Sequence, residues 1–238
     1  MIKNISNLGD AALYCDFGDE VNKEINSDVI KYFNTIKENK IKGVNNLTPS
    51  YNKLIISYDL KETNFKEIKQ EIEKLSQGED TKTISKNLEI PVCCDKSFSL
   101  DMERLEKKLD LKRDEILENF FNKEFFCYMT GFIAGMPFLG DLDEPMRAQR
   151  LETPRVKVPK GSVGMTEQFA NIYTFESPGG WNIIGNTPLE VFDSSKERNP
   201  NLINPGDTVK FKQITLEEYK NYNGVLPMMF QPPGLSNV

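Results

Sequence analysis

Within residues 153–192 the chain reads TPRVKVPKGSVGM and then ESPGGWNIIGNTPLEVF, with Pro and Gly closely spaced and short β-type runs between them. Pro fixes one backbone angle and Gly opens conformations closed to other residues, so this density of turns excludes long helices and leaves a small barrel or sandwich with shaped loops. The loops carry groups that a binding site uses, namely Arg155, Ser162, Ser177, Trp181 and Thr187, beside backbone bared at Gly161, Gly164, Gly179 and Gly180. Such a segment predicts a pocket without naming its chemistry.

A length of 238 residues accommodates two small domains, each able to bury a core. A formal net charge of −6 argues against nucleic acid as the partner, because phosphate binding needs a basic face. The expected partner is a protein or a small molecule. Lysines greatly outnumber the arginines, which are Arg104, Arg113, Arg147, Arg150, Arg155 and Arg198, so an arginine in a Gly/Pro-rich loop is a candidate for bidentate anion recognition.

The opening MIKNISNLGDAALYCDF has no apolar stretch of leader length, and no apolar run approaches the ~20 residues that cross a bilayer. The expectation is a cytoplasmic protein with no membrane partner. Cys15, Cys93, Cys94 and Cys127 show no metal-ligand spacing and are expected to be reduced core thiols, with Cys93 and Cys94 on opposite faces of a strand. The chain contains no histidine, which removes Ser-His-Asp and Cys-His catalysis and imidazole metal sites. Any catalysis falls to carboxylates, lysine, hydroxyls, backbone N–H groups or a partner's residues.

Periodicity predicts an α+β fold: a small α+β domain over residues 1–84 and a β-rich domain over 85–238. In the first, a strand over 11–17 precedes a helix with Ile25, Val29, Ile30, Phe33 and Ile36 on one face, and a loop carries Pro49. A strand over 54–58 leads to a second helix, which Asn64 caps with Glu67 three residues on. A strand over 88–94 completes that layer, and the polar stretch 77–85 reads as the boundary. Helical patterns follow from Ser99 to Asn122, then a buried strand over 125–132. The segment GFIAGMPFLGDL reads as a flexible loop around Pro137, without the lysine of a phosphate loop. Further strands are expected over 156–158, 163–166, 172–175, 183–184, 189–192 and 209–211, and an extended tail after Gly224.

The blocks GDAALYCDFGDEVNKEIN, GFIAGMPFLGDL, TPRVKVPKGSVGM, NIYTFESPGGWNIIGNTPLEVFD and NPGDTVKF together resemble the family of the 5-oxoprolinase B subunit, also described as allophanate hydrolase subunit 1 or KipI-like kinase inhibitors. SPGGW followed closely by IGNTPL is the most specific part. The resemblance implies an N-terminal α+β domain followed by a cyclophilin-like β-barrel. It also implies a larger companion, the C subunit or a KipA-like chain, and a third oxoprolinase subunit. Together these open 5-oxoproline to glutamate using ATP, whose Mg ion is expected to be held elsewhere than on this chain alone. Two alternatives come with the same family: a non-catalytic inhibitor of a sensor histidine kinase, and the carboxyltransferase module of a urea carboxylase or allophanate system.

For the enzyme reading, Arg155 and Ser162 are the expected catalytic residues. Arg150, Gly161, Gly164, Tyr173, Ser177, Gly179, Gly180, Trp181 and Thr187 are expected to bind substrate or nucleotide, with Glu124 or Glu176 for acid/base work and no metal ligand. The chain departs from the family pattern at several positions. Phe120 stands where a histidine is usual, and Glu167, Phe169, Ala170 and Asn171 replace the Gly, Gln, Thr and Gly of G-x-Q-T-G-I-Y. Ala134 replaces a proline and Asn186 an arginine. Because these positions are expected near the chemistry, the departures predict altered binding, or binding without reaction.

Overall fold

The computed structural model describes residues 1–75 and 85–223, so both the 77–84 part of the expected boundary and the expected tail after Gly224 lie outside the described residues. Contacts divide the chain into two compact units, Met1–Ile84 and Ser85–Val238.

The first unit orders β1 (Asn4–Asn7), β2 (Ala12–Asp16), α1 (Lys23–Asn39), β3 (Val44–Pro49), β4 (Lys53–Tyr58) and α2 (Phe65–Leu75). Its sheet runs β1-β2-β4-β3, antiparallel throughout. The Asn22 side chain accepts from the Ile25 N–H and starts α1, and the Asn64 side chain accepts from the Glu67 N–H as expected. One face of α1, through Val29, Tyr32 and Ile36, and one face of α2, through Ile68 and Ile72, meet Leu13, Leu54 and Ile56 in one core. Two expectations are corrected here. The loop around Pro49 is the edge strand β3, where proline's missing N–H costs no ladder bond. The strand near 88–94 belongs to the second unit.

That unit orders β5 (Asn87–Cys93), α3 (Met102–Leu109), α4 (Arg113–Asn122), β6 (Glu124–Thr130) and β7 (Pro137–Gly140). It continues through β8 (Arg155–Val158), β9 (Ser162–Thr166), β10 (Phe169–Ile172), β11 (Ser177–Gly179), β12 (Asn182–Asn186), β13 (Thr208–Ile214) and α5 (Leu216–Lys220). Seven strands close a barrel in the order β10-β7-β6-β13-β5-β12-β9, with β5 and β13 parallel. The fold is therefore α+β with a β-barrel in its second part, as expected. Strands β8 and β11 form a separate two-stranded ribbon.

Alternation along the barrel strands sends Val163, Met165, Ala170, Ile172 and Ile184 inward, and the interior is filled rather than hollow. Phe120 of α4 is fully buried against Phe125 and Phe211, ring centroids 5.1 and 5.0 Å away. The residue standing at the usual histidine position is thus a core aromatic. Several local expectations shift. Residues 137–140 of the expected loop are β7, because Leu139 faces the core. The strand expected over 172–175 ends at Ile172, and Ser177–Gly179, whose Pro178 reads as a turn, is a ribbon strand. No strand forms over 189–192, where Phe192 makes an isolated bridge to Asn201.

All four cysteines are buried and unbridged. Burial pushes the Cys15 and Cys94 thiols up to about 12. The folded chain therefore holds these protons more tightly than an unfolded thiol of pKa about 8.5. The associated stability is complete below that value and is lost as the pH rises toward 12. A disulfide reagent at pH 8 is expected to label none of the thiols until denaturant is added, and the melting temperature should fall on titration above pH 9. Rapid labelling of the folded chain would contradict this packing.

Candidate functional site

The outward positions of β7, β9, β10 and β12 do not open freely to solvent. Phe138, Gly164, Asn171 and Ile183 lie on that outer face, and the β8/β11 ribbon packs over it through Val158. A small second core results, made of Met136, Val158, Tyr173 and Ile183, with Ile133 and Trp181 packed against it. Beside this core is a pocket of about 400 Å³. Its walls are aromatic, from Phe132, Phe138, Tyr173 and Trp181, and the Trp181 ring meets Phe138 edge to face at 5.6 Å. Met136, Pro154 and the 178–180 backbone complete the lining, and Arg150 supplies its cation.

Each wall has a reason to be where it is. Arg150 lies on a segment tied on both sides: the Gln149 carbonyl accepts from Arg104 and from Asn182 Nδ2 at 3.2 Å, and the Leu151 N–H donates to Gly180 O at 2.6 Å. Arg104 also donates to Asn182 Oδ1, so a buried amide ties the segment to β12. Arg150 is exposed and makes no ion pair among the described residues. Gly179 is dictated by space: a Cβ there would lie 2.1 Å from the Tyr173 hydroxyl oxygen. At Gly180 a Cβ would meet nothing closer than 3.4 Å, so packing does not demand glycine there.

Arg155 pairs across the ribbon with Gly179, one step behind the pocket wall. Its Nη2 donates to Asp101 Oδ1 at 2.5 Å, and Asp101 Oδ2 accepts from the Ile183 N–H at 2.7 Å. Asp101 is 4% exposed, so removing the arginine would strand a buried carboxylate, a loss of about 3–5 kcal/mol in comparable cases. The Arg155 Nη1 on β8 and the Ser177 Oγ on β11, the latter opposite Val158, are buried without a hydrogen-bond partner among the described residues. Burial pushes the Tyr173 hydroxyl above the ordinary phenol value, opposed by the Asn171 side chain, the Trp181 backbone and Arg155. It is therefore a neutral donor at physiological pH.

Of the residues expected from sequence, Arg150, Tyr173, Gly179, Gly180 and Trp181 are brought together in the pocket, and Arg155 and Ser177 stand directly behind it. Ser162, Gly161, Gly164 and Thr187 are not in its lining. Ser162 is buried at the start of β9, opposite Asn186. Gly161, at φ +82°, has its Cβ position filled by Asn186 Oδ1 and Thr187 O, both at 2.6 Å. Thr187 is buried and its hydroxyl accepts from the Leu189 N–H at 3.3 Å. Glu176 pairs with Lys157 at the surface, and neither it nor Glu124 lines the pocket. Phe132, Met136, Phe138 and the Asp101 clamp escape sequence reasoning. The GFIAGMPF segment carries the signal for the first three, since its glycines leave those side chains nothing local to pack on.

The divergent positions are also accounted for. Glu167 turns the chain at φ +45° and donates its N–H to Ala148 O, while Phe169 meets Tyr128 edge to face at 5.8 Å. Asn186 is held by Lys160 O and the Tyr219 hydroxyl. Hollows of comparable size surround Lys40 on the first unit. The pocket at Trp181 is the better candidate because unpartnered buried donors stand behind its wall.

A filled barrel with a ribbon over its outer face and an aromatic pocket beside that ribbon defines a barrel module whose pocket lies outside the barrel. The sequence matches the family described as carboxyltransferase domain, subdomain C and D, over residues 3–203. It is 34% identical over 230 residues to the 5-oxoprolinase B subunit of Bacillus subtilis (strain 168), covering 92% of this chain and 95% of that one. To the Haemophilus influenzae protein of the same name it is 35% identical over 170 residues, covering 71% of this chain and 76% of that one. Among solved structures, TTHA0988 superposes with a TM-score of 0.76 at 26% identity, covering 85% of this chain, which spans 40% of the length of TTHA0988. The chain belongs to the family of the 5-oxoprolinase B subunit, within the carboxyltransferase subdomain C and D group.

Gly179→Ala is expected to displace Tyr173, lowering stability by about 1–3 kcal/mol and shifting the emission of Trp181. Thermal unfolding and fluorescence check this; both unchanged would mean the tight contact is relieved without moving the wall.

Proposed function

We propose that this chain is the substrate-pocket subunit of an ATP-dependent enzyme that opens 5-oxoproline to glutamate, completed by a larger companion of the C-subunit or KipA-like type and by a third subunit. The observation that carries the reading is the aromatic pocket of about 400 Å³ with the unpaired Arg150 in its lining. A small ring slides between aromatic faces, and an arginine holds a carboxylate by two parallel N–H bonds. The name of the relatives, a lettered subunit of 5-oxoprolinase, supports both the substrate and the need for other subunits. So does Phe132, 73% exposed in the pocket lining with a left-handed backbone at φ +70°, an apolar surface suited to burial by another chain.

The pocket does not fit ATP. A triphosphate needs several cations or a glycine-rich phosphate cradle, and here one unpaired arginine faces aromatic walls. No cluster of acidic residues suited to a metal ion occurs among the described residues. We therefore assign nucleotide and Mg binding to the companion, and to this chain the holding and orienting of the acid. No helix among the described residues is long and apolar enough to cross a membrane. A cytoplasmic location is part of the proposal, supported by the four unbridged thiols.

The family description favours a second reading, a carboxyltransferase module working with a biotinylated companion. One experiment separates the two. The chain is co-purified with both other subunits, and glutamate release from 5-oxoproline is measured with and without ATP. ATP-dependent release is expected. An intact three-subunit assembly that releases none would overturn the oxoprolinase reading. Arg150→Gln is expected to raise KM by about 10–100-fold with a smaller change in kcat, the pattern of lost ground-state binding. An unchanged KM would remove Arg150 from the site.

A further inference from the structure

Strand β3 forms one edge of the first unit's sheet, and its outer side has no strand partner among the described residues. The direction of its backbone groups follows from the ladder. The Tyr58 N–H donates to the carbonyl of Ala11, just before β2, so the alternate residues Ile55 and Ser57 turn their backbone groups toward β3. Opposite them stand Thr48 and Asn46, which leaves Leu47 with its N–H and carbonyl directed away from the sheet. Pro49 has no N–H to offer, so the free edge is short.

Beside that edge lies a hollow of about 470 Å³ between β3 and the C-terminal half of α1. Its floor is apolar, from Phe33, Ile36, Ile41, Val44 and Leu47, of which only Ile36 is buried. No carboxylate lines it. Lys37 and Lys40 do, both exposed and neither in an ion pair among the described residues. Lys37 Nζ stands 5.6 Å from the centre of the Phe33 ring, at the margin of the floor.

A free strand edge offers main-chain hydrogen bonds, an apolar floor beside it takes every second side chain of an added strand, and lysines without partners select carboxylates. We infer that β3 is a docking edge for an extended segment of another protein, one that pairs with Leu47, lays alternate apolar side chains over the hollow and sets Asp or Glu against Lys37 and Lys40. The residue opposite Leu47 shares its face, so that residue both covers the hollow and exchanges main-chain bonds with Leu47. Charge selects against a second copy of this chain here. Its β3, VNNLTP, has no carboxylate, and pairing edge to edge would bring a further pair of lysines to the same seam.

The probe is a fluorescein-labelled peptide with blocked ends, Glu-Thr-Val-Thr-Val-Thr-Glu, whose valines and glutamates share one face. It is titrated against the full chain by fluorescence anisotropy, and amide hydrogen exchange is followed at Leu47. Saturable binding below millimolar concentration is expected, with slowed exchange at Leu47. Replacing both glutamates of the peptide by lysine should weaken binding about tenfold, and so should Lys37→Gln with Lys40→Gln in the protein, since either change removes two exposed ion pairs. Thermal unfolding verifies that the variant folds. N-methylation of the valines should abolish binding, because their N–H groups face Leu47, whereas N-methylation of the threonines, whose N–H groups face water, should change it by no more than about twofold. If the peptide does not bind at millimolar concentration, if its acidic and basic forms bind alike, or if the two methylated forms do, β3 is not a docking edge for such a segment. A dimer seen in sedimentation of the full chain alone, with the Leu47 amide protected, would give the edge to a second copy and overturn the proposal equally.

Discussion

The buried carboxylate of Asp101 holds together parts of the second unit that are far apart in sequence. It stands at the start of α3, yet its side chain does not cap that helix. It is bound instead to the Ile183 N–H of β12 and to Arg155 of β8. A two-stranded ribbon alone is marginal in water, so β8 and β11 need an anchor. The ion pair at one end, Val158 in the small core, and the Leu151–Gly180 backbone bond supply it. Burying a carboxylate and a guanidinium gains little net stability, because desolvation offsets attraction. What the pair does provide here is placement: it sets where the pocket wall stands against the barrel.

The pocket at Trp181 lies outside the barrel for a reason of size. A seven-strand closure leaves an interior that side chains fill, and bulky groups such as Met165, Ile184 and Phe211 do so. Open space is left to the outer face. On that face the strands carry small or amide residues, Ser162, Gly164, Asn171 and Asn186, all buried or closely covered, and Asn182 starts β12 opposite the inward Met165. Buried amides demand partners, and those partners are loop carbonyls: Gln149 O for Asn182 and Lys160 O for Asn186. Asn182 and Asn186, at the two ends of β12, thus tie down the connections on either side of it.

This arrangement explains what was legible in the sequence. The helices of the first unit show their period plainly, and Asn64 shows its cap, because both are local effects. Tyr173, Gly179, Gly180 and Trp181 stand out because glycine, proline and aromatic residues are dense around them, and Arg150 because arginine is scarce. The Asp101 clamp spans 82 residues to Ile183 and has no local signature; a lone aspartate before a helix reads as an ordinary cap. Strand β7 hides because Pro137 and Gly140 look like turn residues, and edge strand β3 because VNNLTP has no alternating pattern. Ser162 and Thr187 stand out in the sequence but lie outside the pocket lining, for the opposite reason. They have the right chemistry and sit among the right turns, but one is taken up by the barrel ladder and the other by its own loop.

The departures from the family pattern take on a different meaning once the contacts are known. Phe120 packs in the main core, and Asn186 bridges a loop carbonyl and Tyr219. Glu167 and Phe169 brace the residues around Ala148 and Tyr128. None of these lines the pocket. Asn171 does not line it either, but its amide stands against Met136 and acts on the Tyr173 hydroxyl, and both of those residues are pocket walls. A side chain at position 171 therefore acts on the pocket through its neighbours, by setting where a ring and a thioether stand. The other departures act elsewhere: Phe120 fills the barrel-side core, and Glu167 and Phe169 border a separate hollow with Arg147 and Gln149.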